Sequence, residues 1–249
     1  MKAIWTNCII EFKLFYRNFM NVFFTIAFPL MLLFIFGEIF GNEASVTFNN
    51  RGTVDASVPG YIIMIICVTG LMTMPITLSS YREKKILKFY KTTPIGVPKL
   101  IGTQFVVNIF MTVVSIILLL AAAEIVYDIT FDGAIWQAII CVFISILSLF
   151  SMGFFITAIS PNTKITTAVA NILYFPMIFL SGATMPIEIL PDSLKRVAAF
   201  IPTTYAVKLL NGVFRGDNFW NYKKEMLLLV LVFIAMIGLS IKFFKWESR

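Results

Sequence analysis

Residues 100–123 read LIGTQFVVNIFMTVVSIILLLAAA, 24 positions without a charged side chain. A helix of that length rises about 36 Å at 1.5 Å per residue, and about 20 apolar residues suffice to cross the roughly 30 Å hydrocarbon layer of a bilayer. Inside this run Gln104, Asn108, Thr112 and Ser115 recur at steps of four, four and three. Such spacing gathers them on one helix face. The stretch therefore predicts a membrane-spanning helix with a single polar stripe.

Five further runs resemble it. Asn18–Gly37, Ala56–Tyr81, Gly133–Thr163 and Ile165–Ile187 hold 20, 26, 31 and 23 uncharged residues, and Met226–Ile241 holds 16. The last is short, but Lys223, Lys224 and Lys242 at its ends can snorkel to the headgroups. The 249-residue chain is 59% hydrophobic and 13% charged, about half the charge of a soluble domain. Lipid absorbs that apolar surface where a soluble core cannot. With the N-terminus inside, 13 of the 20 basic residues fall on cytoplasmic segments and 10 of the 13 acids on outer ones. That is the positive-inside pattern, and it places both termini in the cytoplasm. The net charge of +7 thus reads as topology rather than as a nucleic-acid surface. The first run is too long and lacks the small-residue cleavage site of a signal peptide. Cys8, Cys67 and Cys141 have no metal-like spacing and read as buried free thiols.

Along the chain, residues 2–17 carry Ile4, Trp5, Cys8, Ile9, Phe12, Phe15 and Tyr16 against Lys2, Asn7, Glu11, Lys13 and Arg17. This predicts an amphipathic helix lying in the membrane interface. The six spans are expected at about 19–37, 60–80, 100–122, 136–160, 165–182 and 224–244, in one transmembrane domain. Pro29 interrupts the first. The fourth run exceeds one crossing, so an interfacial lead-in around Trp136 is expected, and Ser160–Lys164 forms a tight inner turn. Between spans five and six, Pro186, Pro191 and Pro202 punctuate residues 183–215. Asp192 and Ser193 can cap a short helix there, and the segment reads as short re-entrant helices dipping into the outer leaflet.

Much chemistry is missing. There is no His and no glycine-rich loop ending in Gly-Lys-Ser/Thr, so His-based hydrolases, two-His zinc enzymes and a P-loop are excluded. No charge lies at mid-span, where ion-coupled transporters place theirs. The deep polar groups are neutral, including Asn171 and Tyr174 in the fifth span. Helix–helix hydrogen bonding is the commoner role of any one of them; a mildly polar translocation path is the other. The continuous stripe of Gln104, Asn108, Thr112 and Ser115 favours the second. Residues 82–91 form a basic helix whose charges alternate with Ile86, Leu87, Phe89 and Tyr90. Beyond a positive-inside anchor, such exposed apolar surface points to a partner.

Taken with the motifs, the chain resembles the permeases of type-2 ATP-binding-cassette (ABC) exporters. Arg82-Glu83-Lys84 running to Thr92-Thr93-Pro94, Phe175-Pro176 through Leu180-Ser181-Gly182, Met185-Pro186, Leu190-Pro191 and Ile201-Pro202-Thr203-Thr204-Tyr205 carry the resemblance over essentially the whole length. It implies that residues 82–93 (Arg82, Glu83, Lys84, Lys85, Ile86, Leu87, Phe89 and Thr93) form a coupling helix that docks on an ATPase. Where the family commonly has Gly-Thr after Glu-Lys, Lys85-Ile86 stands here. The resemblance further implies a dimer of permeases, homomeric or heteromeric, with spans one and five at the seam and two ATPase copies. Those partners would bind ATP and magnesium, and this chain would hold no cofactor. Pro186, Pro191, Pro202 and Tyr205 would belong to an outer gate.

The reading is an exporter subunit in a bacterial cell membrane, surrounded by lipid, for an amphipathic cargo such as a peptide, drug or lipid-linked glycan. It is not itself an enzyme. A membrane immunity or sensor protein that binds a toxin or signalling partner is the rival reading.

Overall fold

The computed structural model describes residues 2–43, 51–91, 96–184 and 191–243. Thr93 and Pro186 lie outside the described residues. Among these residues the chain is built of helices and their connections, and six helices are long and apolar enough to cross a membrane. Helix α1 covers Lys2–Arg17. The candidate spans are α2 (Phe19–Phe40), α3 (Thr53–Glu83), α5 (Gly96–Tyr127), α6 (Ile135–Ile159) and α7 (Thr163–Leu180), with the last running through Phe219–Phe243. Short α4 (Ile86–Lys91) lies between α3 and α5. Helices α8 (Asp192–Ala198) and α9 (Pro202–Phe214) precede the last span, which opens with a 3-10 turn and continues as α10 (Lys223–Phe243).

Helix α3 is the hub: its most apolar window is 83% buried, against 11% for the last span. Lipid tails are as apolar as leucine, so packing rather than water exclusion holds such helices together. Small residues allow the closest approach. A Cβ added at Gly153 of α6 would sit 1.9 Å from the Gly70 carbonyl oxygen of α3. Phe150, one turn earlier, packs against Gly70, and α6 runs along α10 on its other side.

Two prolines explain two irregular turns. A proline ring clashes with the carbonyl four residues back and donates no hydrogen bond. Ahead of Pro29 and Pro75 the helix widens to a π turn, over Phe23–Ala27 and Val68–Thr73, where the N–H of Phe28 reaches Phe23 O and that of Met74 reaches Thr69 O.

Several details depart from the sequence pattern. Trp136 lies in the first turn of α6, so no separate lead-in precedes that span. Asp192 is the first residue of α8; Pro191 holds the cap position and no side chain caps the helix. Residues 82–91 are not one helix. Lys84 turns out of α3, Lys85 is left-handed at φ 60°, and α4 starts afresh at Ile86.

Candidate functional site

The C-terminal end of α3 holds a cluster of polar contacts. The Arg82 side chain is buried and donates to the Ser160 carbonyl in the turn between α6 and α7. Glu83 Oε2 accepts from the Thr163 N–H at 3.0 Å, beside Asn162 Oδ1, which accepts from Ile165 N–H at 2.9 Å. The first N–H groups of a helix have no partner within it, and a carboxylate there also meets the positive end of the helix dipole. One turn inward, Thr166 Oγ1 and Ser79 Oγ are bonded at 2.8 Å. Arg82, Glu83 and Ser79 therefore fasten α3 to the start of α7.

The sharp turn at Lys84-Lys85 folds α4 back beneath the bundle. Leu87 is buried with Val97 and Leu100 of α5. Lys84, Lys85, Lys88 and Phe89 face outward, with Phe89 67% exposed. Ile86 is half-buried. Of the eight residues expected to couple to an ATPase, Lys84, Lys85 and Phe89 thus offer surface. Arg82 and Leu87 point inward, and Glu83 is engaged with α7.

The N-terminal helix is amphipathic, but its polar residues divide. Asn7, Glu11 and Phe15, four apart, are buried, whereas Trp5, Phe12 and Tyr16 are exposed alongside Lys13 and Arg17. Asn7 Oδ1 accepts from the Tyr90 hydroxyl at 2.9 Å. Glu11 Oε2 accepts from the Tyr81 hydroxyl at 2.6 Å and from Gln104 Nε2. Asn108 Nδ2 in turn donates to Gln104 O and Oε1. Burial pushes the Glu11 carboxyl above the ordinary carboxylate range, an effect that the Tyr81 hydrogen bond partly offsets. Glu11 and Asn7 escaped the sequence reading because their partners lie 70 to 93 positions away; the i, i+4 spacing was the available signal.

The α5 stripe accordingly has an address. Gln104 and Asn108 face α1 across a crevice of about 280 Å³ lined also by Asn18, Asn21, Thr77 and Lys84. Thr112 and Ser115 are buried and bonded to carbonyls of their own helix, Asn108 O and Met111 O. Tyr174 is buried in the main core, while Asn171, about one turn earlier on α7, is half-exposed.

At the opposite end, α8 and α9 meet at 93°. The residues after Pro202 make this corner by binding carbonyls that helix ends leave open. Thr203 Oγ1 donates to Met177 O of α7, Thr204 Oγ1 to Ala198 O and the Tyr205 hydroxyl to Ala199 O, at 2.9, 2.8 and 2.6 Å. Asp55 gathers Asn42 Nδ2, Thr130 N–H and Thr130 Oγ1, and Arg51 reaches both Asp132 and the Phe214 carbonyl at the end of α9. The loops at this end and α9 are thereby joined.

Comparison with known proteins adds what this geometry alone does not carry. The sequence model of ABC-2 type transporters matches residues 2–214. The chain is 21% identical to the putative transport permease YvfS of Bacillus subtilis (strain 168) over 247 residues, 96% of both proteins. Over 88 residues, about a third of either chain, it is 30% identical to nodulation protein J of Rhizobium leguminosarum bv. viciae.

Proposed function

We infer the role of this protein from an established membership: the chain belongs to the ABC-2 type transporter family. It is the membrane subunit of an ABC transporter, a multi-pass protein. We propose that it works as an exporter half-permease in a bacterial cell membrane with both termini in the cytoplasm. Two copies enclose the path, their first and fifth spans at the seam, and a separate ATPase dimer binds ATP and magnesium and drives alternating access. Residues 82–93 form the docking element, and α8–α9 the re-entrant outer gate.

The observation that carries this reading is the double attachment of one exposed segment. Lys84, Lys85, Lys88 and Phe89 offer cations around an apolar knob, a composition suited to an acidic-rimmed apolar pocket on a partner. Immediately behind that surface, Arg82 and Glu83 hold the start of α7, and Tyr90 holds α1. A push on α4 reaches α1 through Tyr90 and, across the Lys84-Lys85 turn, α7 through the end of α3. Neutral polar lining and the lack of a mid-span charge suit an amphipathic cargo: a peptide, a drug or a lipid-linked glycan. That YvfS is described as a transport permease supports the transport reading.

The test is co-purification from native membranes in mild detergent, with the captured proteins identified by mass spectrometry and an ABC ATPase expected among them. Lys84→Glu with Lys85→Glu and Phe89→Ala, all at exposed positions, is expected to abolish ATPase recovery while leaving membrane insertion and thermal stability intact. Full recovery of the ATPase with the triple variant, or capture of a toxin or kinase by the wild type in its place, contradicts the proposal.

A further inference from the structure

The crevice between α1, the inner end of α3 and α5 has a use beyond the coupling of ATP to transport. Its walls differ in character. Leu14, Phe15, Ile76 and Val107 supply an apolar side; Glu11, Gln104 and Asn108 supply a polar one, with Lys84 at its rim. At about 280 Å³ it would hold several waters at roughly 30 Å³ each, enough for a small headgroup. It also sits beside the apolar, outward-facing residues of α1. A helix with such a face rests in the headgroup layer, so the crevice opens at the depth of inner-leaflet lipid heads.

The polar wall is short of positive charge. Glu11 is 5% exposed, and no Lys or Arg among the described residues pairs with it. Its two partners there, Tyr81 and Gln104, are neutral. Asn108 is 1% exposed, and its Oδ1 is buried without a hydrogen-bond partner. A buried carboxylate without a counter-charge costs several kcal/mol, and an orphaned buried acceptor adds to that cost. Glu11, Asn108 and Lys84 all belong to the lining of one cavity.

We propose that this crevice binds the phosphoethanolamine-type head of an amphiphile, its primary ammonium between Glu11 and Asn108 Oδ1 and its phosphate toward Lys84. The apolar wall receives the glycerol and the first acyl carbons. A trimethylated head has no N–H to give Asn108, so phosphatidylcholine is discriminated against. The site belongs to one copy of the chain and does not depend on ATPase docking.

Native mass spectrometry and thermal unfolding of the full chain in nanodiscs test this. The discs contain phosphatidylcholine alone, phosphatidylcholine with phosphatidylethanolamine, or phosphatidylcholine with soluble phosphoethanolamine added. The mixed-lipid disc is expected to raise the unfolding temperature and to leave phosphatidylethanolamine bound. A charge-assisted hydrogen bond is worth about 1.5–3 kcal/mol, so Glu11→Gln should weaken retention roughly tenfold or more. Lys84→Gln, at an exposed position that cannot unfold the bundle, should also weaken it. A shift from soluble phosphoethanolamine supports the same chemistry and assigns the source to a free metabolite. Equal behaviour in the first two discs overturns the proposal. So does a phosphatidylethanolamine effect that persists in full in both variants, because that is a bulk property of the bilayer.

Discussion

Lys85 stands at φ 60°, where an L side chain costs about 1–2 kcal/mol and glycine almost nothing. The turn it makes is what separates α3 from α4. The family resemblance expects glycine at this position, and the backbone supplies the reason. Lys85→Gly is therefore expected to raise the unfolding midpoint in detergent, by about 1 kcal/mol of stability; a lowered midpoint contradicts the strain argument. Glu11 sets a second expectation at this scale. Its carboxyl is raised above the ordinary 4.5 because it is buried, so the folded protein favours the protonated form. That contribution is complete below about pH 4.5 and is lost as pH rises through the folded-state value. Tyr81 and Gln104 are bonded to it, and Lys84 lines the same crevice without pairing with it. In lipid-free detergent, wild type should lose stability relative to Glu11→Gln as pH climbs from about 4.5 to 7.5. Parallel stability curves across that range would contradict it.

Among the helices, the closest approach and the strongest tie make separate predictions. The Gly153–Gly70 contact leaves no room for a side chain. Overpacking costs about 1–3 kcal/mol, and with backbone as the obstacle Gly153→Val should sit at or above the top of that range, read as loss of folded protein in fluorescence-detected size exclusion. The Arg82–Ser160 tie predicts a different outcome. Arg82→Ala should leave ATPase binding near wild type, since Arg82 points inward, yet lower transport per ATP hydrolysed; equal loss of both would make it a docking residue instead. These elements also define what was legible in the sequence. Six charge-free runs gave six candidate spans because a bilayer demands length and apolarity, and both are local properties. The break at Lys84–Lys85 was hidden, since Lys carries no turn signal. The inward turn of Asn7 and Glu11 was hidden too. Amphipathic periodicity assigns polar residues to water, and only the distant Tyr81, Tyr90 and Gln104 make a protein-facing polar stripe the better solution. The carbonyl-binding roles of Thr203 and Thr204 likewise depend on where α7 and α8 end in space.

At the scale of the molecule, exposed cations and Phe89 on α4 stand on a segment fastened to α1, α5 and α7, while the far end is joined by Asp55, Arg51 and the corner after Pro202. Between the two ends runs α3, the most deeply buried helix. In the proposed mechanism this bundle carries a displacement from α4 to the corner after Pro202 without an Asp, Glu, Lys or Arg at mid-span. The central claim is that α4 receives this displacement from an ATPase. The most direct measurement places a photo-reactive amino acid at position 89 in intact membranes and identifies the cross-linked protein by mass spectrometry, with position 5 on α1 as the control. A cross-link to an ABC ATPase subunit is expected from position 89 and not from position 5. Cross-links from position 89 to lipid alone, or to a protein without a nucleotide-binding P-loop, would contradict it.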